Sequence, residues 1–369
     1  MKKTVFFLIV ALLSTLVFPA VFTQAGSGVE VAGILDSSTT WIQENSPYEI
    51  TETIQIPEDV VLTIEPGVTV TFSGEGNMFL VGGAVQAEGT IDEKIVFQGT
   101  GADNFFEVVD HEGSLTLDYC VFDGAQHLWD IGDGVDQVIL RHSEIMNVAE
   151  HSGLVHWRKP CYIEYNLFIN SGGFGMYNWF GTDSSAKMYI RCNVVKANSD
   201  VFVSCSSSVY GLGFVIQYNS FVDVEGTLLS VFTGLGTWDI TATENYWGTT
   251  DTEIIDSLIN DKSDDISLPV EIEYSPFLTG PHADGAILPI TVGFEYSPDE
   301  LYVDVEFEVD ASASFAEYSA IANYTWDFGD GTIETLDESD TTYSFDAAGD
   351  YGIVLTVTDE YGFQNSTST

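Results

Sequence analysis

A short pattern of alternating apolar and polar residues recurs through the middle of the chain. Its clear copies are CYIEYNLF at 161–168, MYIRCNVV at 188–195 and FVIQYNSF at 214–221, and its weaker copies are LTLDYCVF at 115–122, VILRHSEI at 138–145 and DITATENYW at 239–247. Side chains alternate between the two sides of a strand, so each copy predicts a short strand with one buried face. We expect the residues one and three before the shared polar position, such as Ile163 and Tyr165, to lie on that face.

The shared polar position falls at Cys120, Ser143, Asn166, Asn193, Asn219 and Asn245, at separations of 23, 23, 27, 26 and 26 residues. A period in the twenties predicts a stacked solenoid. No helical pattern fills the space between copies, so each turn consists of strands and bends, which selects a parallel β-helix. The four asparagines at 166, 193, 219 and 245 are expected to form a structural ladder along the axis, with no catalytic role.

Short strand patterns continue after the Pro/Gly-containing linker at 281–285, and they predict a second, smaller domain. The strands are expected at 286–294, 303–309, 323–328 and 351–358. Segments this short with turns between them indicate an antiparallel β-sandwich. The chain is therefore predicted to be all-β, with a solenoid followed by a sandwich.

Several stretches resemble right-handed parallel β-helix domains of the pectate-lyase-like class found in exported microbial proteins. They are LTIEPGVTVTF at 62–72, VGGAVQAEGT at 81–90, NYWGT at 245–249 and VEIEYSPFL at 270–278. The resemblance covers roughly residues 29–280 and implies the fold. That fold hosts lyases, hydrolases, adhesins and inert stalks, so the resemblance does not select a function.

The C-terminal motifs YTWDFGDGT at 324–332 and FDAAGDYGIVLTVTD at 345–359 resemble the PKD domain, an immunoglobulin-like sandwich. A tight structural turn is expected from Trp326, Asp327, Gly329, Asp330 and Gly331. Tyr343 stands where that family often has His. Glycosylation sequons begin at Asn323 and Asn365.

The N-terminus has two lysines, a long apolar run and small residues near position 25, which is typical of a secretory signal peptide. An uncleaved membrane anchor is the alternative. The expected organisation is a signal peptide at 1–25, a β-helix at 26–280, a linker at 281–285 and a PKD-like sandwich at 286–369. The final strand of such a domain usually continues further, so we expect this one to be truncated. Secretion or attachment at the cell surface follows, with no membrane span after cleavage.

Charge narrows the classes of partner. The chain has 57 Asp plus Glu against 10 Lys plus Arg, a formal net charge of −47, which argues against nucleic-acid binding. Four cysteines, Cys120, Cys161, Cys192 and Cys205, allow three disulfide pairings, and buried free thiols are the alternative. No cofactor is expected. The sequence has no DxDxDG loop that would bind calcium, so it neither predicts nor excludes a metal site.

Sequence motifs for catalysis are absent: there is no GxSxG, HExxH, P-loop or GxGxxG. The Asp264-Asp265 pair lies among charges and is interpreted as a solvated loop. We therefore assign no catalytic residue.

Counting residues from the ladder position on each coil predicts one candidate ligand-binding surface. The residues thirteen after the ladder position are His156, Trp179, Ser206 and Phe232, and those twelve after it are Val155, Asn178, Cys205 and Val231. Alternation places the first set outward and the second inward. The expected ligand-binding residues are His156, Trp157, Arg158, Tyr177, Trp179 and Phe232. Nearby lie six of the basic residues, Arg141, Arg158, Lys159, Lys187, Arg191 and Lys196.

We expect this surface to bind a glycan or surface polymer, with the PKD-like domain as spacer or contact for other surface proteins. One alternative is a polysaccharide lyase or glycoside hydrolase acting at 141–180, in which His156, Arg158 or Lys159 would serve as base or charge stabiliser. A second alternative is a structural stalk. A third alternative is that loops cover these aromatic residues and that the basic residues only neutralise nearby Asp and Glu.

Overall fold

The structure is a computed structural model that describes residues 21–25, 28–74, 76–99, 102–109, 112–131, 135–150, 152–155, 159–178, 187–196, 201–207, 213–224, 226–232 and 239–369. The described chain is nearly all β. The solenoid strands in chain order are β1 (Val21–Ala25), β2 (Gly28–Ile34), β3 (Thr39–Trp41), β4 (Tyr48–Ile56), β5 (Val61–Ile64), β6 (Thr69–Phe72), β7 (Phe79–Val81), β8 (Ala84–Glu88), β9 (Ile95–Gln98), β10 (Asn104–Val108), β11 (Ser114–Asp118), β12 (Cys120–Asp123), β13 (His127–Ile131), β14 (Gln137–Arg141), β15 (Glu144–Met146), β16 (Ser152–Val155), β17 (Cys161–Glu164), β18 (Leu167–Ile169), β19 (Phe174–Asn178), β20 (Met188–Arg191), β21 (Val194–Lys196), β22 (Val203–Ser207), β23 (Gly213–Gln217), β24 (Ser220–Val222), β25 (Leu229–Val231), β26 (Asp239–Thr241) and β27 (Ile259–Asn260).

Successive coils pair in parallel on three faces. The first face is a nine-stranded sheet in the order β3, β5, β8, β11, β14, β17, β20, β23 and β26. The second face runs from the start of β4 through β6, β9, β12, β15, β18, β21 and β24. The third face runs from the end of β4 through β7, β10, β13, β16, β19, β22, β25 and β27. The predicted parallel β-helix is confirmed.

The ladder lies at the corner between the first and second faces. The Oδ1 of Asn193 accepts hydrogen bonds from the backbone N–H of Asn166 at 2.9 Å and from its side-chain amide at 3.0 Å. Asn219 and Asn245 repeat this geometry toward the next coils. All four asparagines are buried. Each amide satisfies backbone donors that the bend removes from the sheet.

The residue before each ladder position departs from the expected burial. Tyr165 is exposed, whereas Ile163 is buried. The strand ends before Tyr165, which has a left-handed φ of 59°, and the equivalent residues Tyr119, His142, Cys192, Tyr218 and Glu244 share that conformation. Alternation no longer applies once the backbone leaves the extended region, so this row is turned away from the core. The prediction that Tyr165 faces the core is wrong.

The last coil contains α1 (Thr252–Ser257) between β26 and β27, and its N-cap Asp251 accepts a hydrogen bond from the Glu253 N–H. A single-turn 3₁₀ helix spans Gln43–Asn45. The four cysteines are free and buried. Burial raises the pKa of the Cys161 thiol to about 12. The alternative of buried free thiols is therefore the one observed in the solenoid.

The C-terminal domain has two antiparallel sheets. Its strands are β28 (Ile290–Thr291), β29 (Glu295–Ser297), β30 (Phe307–Asp310), β31 (Phe315–Ala316), β32 (Ile321–Asp327), β33 (Ile333–Leu336), β34 (Asp340–Tyr343), β35 (Val354–Asp359) and β36 (Gln364–Ser368). The sheet orders are β29-β30-β34 and β33-β32-β35-β36, and β28 pairs with β31. Trp326 and Phe328 are fully buried between the sheets. The predicted β-sandwich is confirmed.

The Trp-Asp-Phe-Gly-Asp-Gly segment forms a closed turn. Asp327 accepts a hydrogen bond from the Gly329 N–H, and Asp330 accepts one from the Thr332 N–H, both at 2.9 Å. The Tyr343 hydroxyl donates to Asp330 at 2.7 Å, and its ring stacks on Phe328 at 3.7 Å. The Tyr343 hydrogen bond holds the pKa of Asp330 below its ordinary value.

The sandwich packs against the second face of the solenoid. The outward side chains of that face, Leu167, Ile169, Val194 and Val222, belong to the same apolar cluster as the sandwich core. The Tyr318 hydroxyl contacts the Met146 sulfur at 3.3 Å. The segment that was expected to be a linker lies against the solenoid, because the His282 N–H donates to Ser220 at 3.3 Å and the Ala286 N–H donates to the Cys192 carbonyl at 2.8 Å.

A half-buried lysine closes this contact between the domains. The Lys196 ammonium donates to Asp223 at 2.8 Å and to the Tyr361 hydroxyl at 3.2 Å, and it lies 5.1 Å from the Tyr361 ring centroid. Burial alone would lower the pKa of Lys196, but the hydrogen bonds to Asp223 and Tyr361 outweigh it and raise the pKa. Tyr361 therefore ties the sandwich to a charged pair on the solenoid.

Candidate ligand-binding surface

Most of the predicted ligand-binding residues lie outside the described residues: His156, Trp157, Arg158 and Trp179. The backbone of Tyr177 is in β19, while its side chain is also outside the description. Phe232 follows β25 and is 45% exposed. Ligand binding by these six residues remains a prediction.

The observed register changes the expected alignment of that surface. Tyr177 pairs with Val155 on one coil and with Ser206 on the other. Cys205 is aligned with Met176 and Val231. Counting from the ladder had instead aligned Ser206 with Trp179 and His156, because it assumed equal bends on every coil. The bends differ in length, so Tyr177 takes the place of Trp179 in that row.

The strands that follow the predicted segments carry an ordered group of outward side chains on the first face. Glu164 lies between two arginines of the neighbouring coils, since β17 aligns it with Arg141 on β14 and with Arg191 on β20. The Arg141 guanidinium pairs with Glu164 at 2.9 Å, and Arg191 pairs with its other oxygen. Glu164 is only 4% exposed. The two cations orient this buried carboxylate and satisfy its charge.

A pair of tyrosines lies beside these charges. The rings of Tyr162 and Tyr189 stack with centroids 5.3 Å apart and planes 8° apart. Arg141 lies 4.9 Å from the centroid of Tyr162, and Arg191 lies 4.6 Å from that of Tyr189. Each tyrosine ring is therefore in a cation–π contact with one guanidinium. We call Arg141, Tyr162, Glu164, Tyr189 and Arg191 the tyrosine–arginine cluster.

A second aromatic stack lines the adjoining corner. His142 stacks between Tyr119 at 4.7 Å and Tyr165 at 5.2 Å, and its Nδ1 lies 2.8 Å from an Asp118 oxygen. The pKa of Tyr165 is raised, chiefly because its phenolate form would be repelled by an ionised Cys192. Tyr165 therefore stays a neutral hydrogen-bond donor at neutral pH.

The tyrosine–arginine cluster offers ring edges, hydroxyls and N–H groups to a ligand. One face of each ring is covered by the other ring, and each ring also contacts a guanidinium. Within the described residues neither tyrosine hydroxyl has a hydrogen-bond partner. Within the cluster, two cations against one carboxylate give a formal charge of +1, and Asp118 on the neighbouring coil is aligned with Arg141. Such a site can donate hydrogen bonds to carboxylates or hydroxyls of a polymer. Among the described residues, no group of three His, Cys, Asp or Glu side chains could hold a metal ion.

Two other basic residues that the sequence grouped with this surface are also paired. Lys159 lies 2.6 Å from Asp136, and Lys196 is held by Asp223. These contacts agree with the hypothesis that the basic residues neutralise nearby carboxylates. The cluster itself was missed from the sequence, although alternation about Ile163 and Ile190 places Tyr162, Glu164, Tyr189 and Arg191 outward.

The fold and these contacts define a class of protein: a parallel β-solenoid with a β-sandwich docked on one face and an aromatic, cationic group on another. Residues 295–369 match the family model of the PKD domain, so the sandwich is a PKD domain. A 72-residue stretch is 38% identical to Collagenase ColA from Clostridium perfringens (strain 13 / Type A), covering 20% of this chain. The match spans 6% of that relative.

Solved structures with similarity to this chain include two PKD1 domains. That of Vibrio anguillarum Epp is 30% identical over 22% of this chain and 90% of its own, with a TM-score of 0.20. That of the Vibrio cholerae metalloprotease PrtV is 31% identical over 21% and 88%, with a TM-score of 0.19. A structure from work on the specificity of carbohydrate-binding modules of the β-sandwich superfamily is 35% identical over 22% and 32%, with a TM-score of 0.21.

No helix in the described part of the chain is both long and apolar enough to cross a membrane.

Proposed function

We propose that this modular protein is exported and binds an acidic glycan or surface polymer through the first face of its solenoid. The observation that carries the proposal is the tyrosine–arginine cluster, in which Tyr162 and Tyr189 stack on each other and each ring contacts one guanidinium. The leader-like N-terminus and the PKD match support export. The docked PKD domain covers the second face, and on the first face Tyr162 and Tyr189 remain partly exposed among the described residues.

The charge of the whole chain does not exclude an acidic ligand. At physiological ionic strength, exposed charges act over only about 8 Å. A polymer on the first face therefore responds mainly to Arg141, Arg191 and their immediate neighbours. The predicted residues His156 to Arg158 immediately precede the segment leading into β17, so they would extend the same surface.

The test compares two double variants of the 369-residue chain at 0.15 M salt, with polygalacturonate and a neutral β-glucan as probes. Tyr162→Ala with Tyr189→Ala should weaken polygalacturonate binding by about tenfold, because two aromatic contacts and two donors are lost. The second double variant, Arg158→Ala with Trp179→Ala, tests the ligand-binding surface that the sequence predicted. Ile91→Ala, at an exposed position away from both, is the matched control.

Retention that is lost in the first double variant supports the proposal. Loss of retention only in the second double variant would assign binding to the surface predicted from the sequence and not to the tyrosine–arginine cluster. New reducing or unsaturated ends would establish a glycoside hydrolase or lyase, and no retention of either polymer would leave a structural stalk.

A further inference from the structure

The PKD domain has an open cavity of about 330 Å³ at one edge of its sandwich. Its apolar lining comes from three segments and includes Tyr296, Leu301, Tyr302, Val303, Phe345 and Tyr351. Tyr302 is 63% exposed. Tyr296, Leu301 and Val303 are also exposed, so several apolar side chains at this edge remain accessible to a ligand.

The floor of the cavity is ordered. The Phe345 and Tyr351 rings stack 4.0 Å apart with planes 3° apart, and Phe345 also stacks on Phe307 at 5.4 Å. The Tyr351 hydroxyl donates to the Ala347 carbonyl at 2.9 Å. These contacts fix the rings before any ligand arrives, so binding would order few additional side chains.

An unpaired strand edge borders the cavity. Tyr296 lies in β29, which occupies the edge of the order β29-β30-β34 and pairs, among the described strands, with β30 alone. Backbone N–H and C=O groups on the other side of β29 can accept an extended chain as an additional strand. A cavity beside such an edge suits a peptide whose alternate side chains enter it.

The charge of the cavity selects the peptide. Residues 286–369 contain no Lys or Arg, so the domain offers no cation to an acidic ligand. Asp350 lines the cavity, and Glu300 accepts a hydrogen bond from the Tyr302 hydroxyl at 3.0 Å. A lysine or arginine side chain can place its aliphatic stem on the rings and its charge beside these carboxylates.

We propose that this cavity, which we call the PKD edge site, binds an extended basic segment of another protein. The segment adds a strand to β29 and inserts a Lys or Arg side chain between Tyr302 and Tyr351. This activity is independent of glycan binding on the solenoid.

The test uses the full chain and an acetylated, amidated octapeptide of alternating Val and Lys, followed by calorimetry. Tyr302→Ala should weaken binding by about fivefold to tenfold, as expected for a desolvated cation–π contact. Glu300→Gln should weaken it by about threefold and reduce its salt dependence. Phe315→Ala is the matched control, because Phe315 is 55% exposed on the same domain and does not line the cavity.

Two further probes separate the site from general attraction to an acidic protein. A peptide N-methylated at alternate amides keeps its charge but cannot pair with β29, so it should bind at least fivefold more weakly. Equal affinity for Tyr302→Ala and the unchanged chain, or for both peptides, would overturn the proposal. Binding of the neutral β-glucan that Tyr302→Ala abolishes would make the cavity a sugar site and would also overturn it.

Discussion

The first and second faces of the solenoid are built from the same repeat, yet their outward side chains differ in kind. On the first face, β17 and β20 direct Tyr162, Glu164 and Arg191 outward, where Glu164 pairs with Arg191 and Tyr162 stacks on Tyr189. On the second face, β18 and β24 direct Ile169 and Val222 outward into an apolar cluster that includes the core of the PKD domain.

The difference shows how a repetitive scaffold assigns roles to its faces. An outward row of aliphatic residues has no partner of its own, and it stabilises the protein only when another domain covers it. An outward row of tyrosines and paired charges is stable in water and can remain open for a ligand. The domain interface and the candidate binding surface thus lie on adjacent faces, separated by the asparagine corner.

The variant with the largest expected effect places a carboxylate on the second face, and its control places one on the first face. Val222→Asp should destabilise the docked form by about 3 to 5 kcal/mol, because a buried carboxylate would lack a partner. We expect the PKD domain to detach, since detachment hydrates the charge. Small-angle X-ray scattering should then show a larger radius of gyration, and the segment at 281–286 should become sensitive to protease.

Val215→Asp is the matched control for this experiment. Val215 is half-buried on β23 of the first face, so we expect a change in stability of less than about 1 kcal/mol and no detachment. If both variants gave the same scattering curve as the unchanged chain, the second face would not be a domain interface in solution.

The next effect concerns the corner that both faces share. Asn219→Ala removes the acceptor of the Asn193 backbone N–H and of its side-chain amide. Two buried donors without partners should cost about 2 to 4 kcal/mol in the free energy of unfolding, measured by denaturant titration. Asn323→Ala, a half-buried position in the PKD domain, should change stability by less than about 0.5 kcal/mol. Equal costs would mean that the ladder is replaceable by water.

The smallest effect is a pH dependence at the interface. Burial raises the pKa of Tyr318 to about 12, whereas the unfolded chain releases this proton near pH 10. The folded state therefore holds the proton more tightly, so this contribution to stability is complete below pH 10 and is lost as the pH rises to 12.

Tyr318→Phe should flatten the fall in stability over this range, as measured by denaturation at several pH values. Part of the slope should persist, because burial also raises the pKa of Tyr246 and of three cysteine thiols. An unchanged slope would show that Tyr318 is hydrated in solution.

Parts of both faces could be predicted from the sequence. Consecutive apolar residues in LFI at 167–169 indicate a strand buried on both sides, and YIE at 162–164 indicates one buried side and one polar side. The exposure of Tyr165 could not be derived from alternation, because the strand ends one residue earlier at a left-handed bend. The alignment of Tyr177 with Ser206 depended on bend lengths that the repeat does not encode.

The sequence by itself determined the all-β architecture, the solenoid, the ladder and the PKD sandwich, because these depend on local alternation and on a repeat whose neighbours stack in order. Only the tertiary structure decided that the sandwich docks on the second face and that Arg141, Glu164 and Arg191 form one charged group. Those contacts join residues on different coils or domains, and their formation depends on register and shape, which local patterns do not specify.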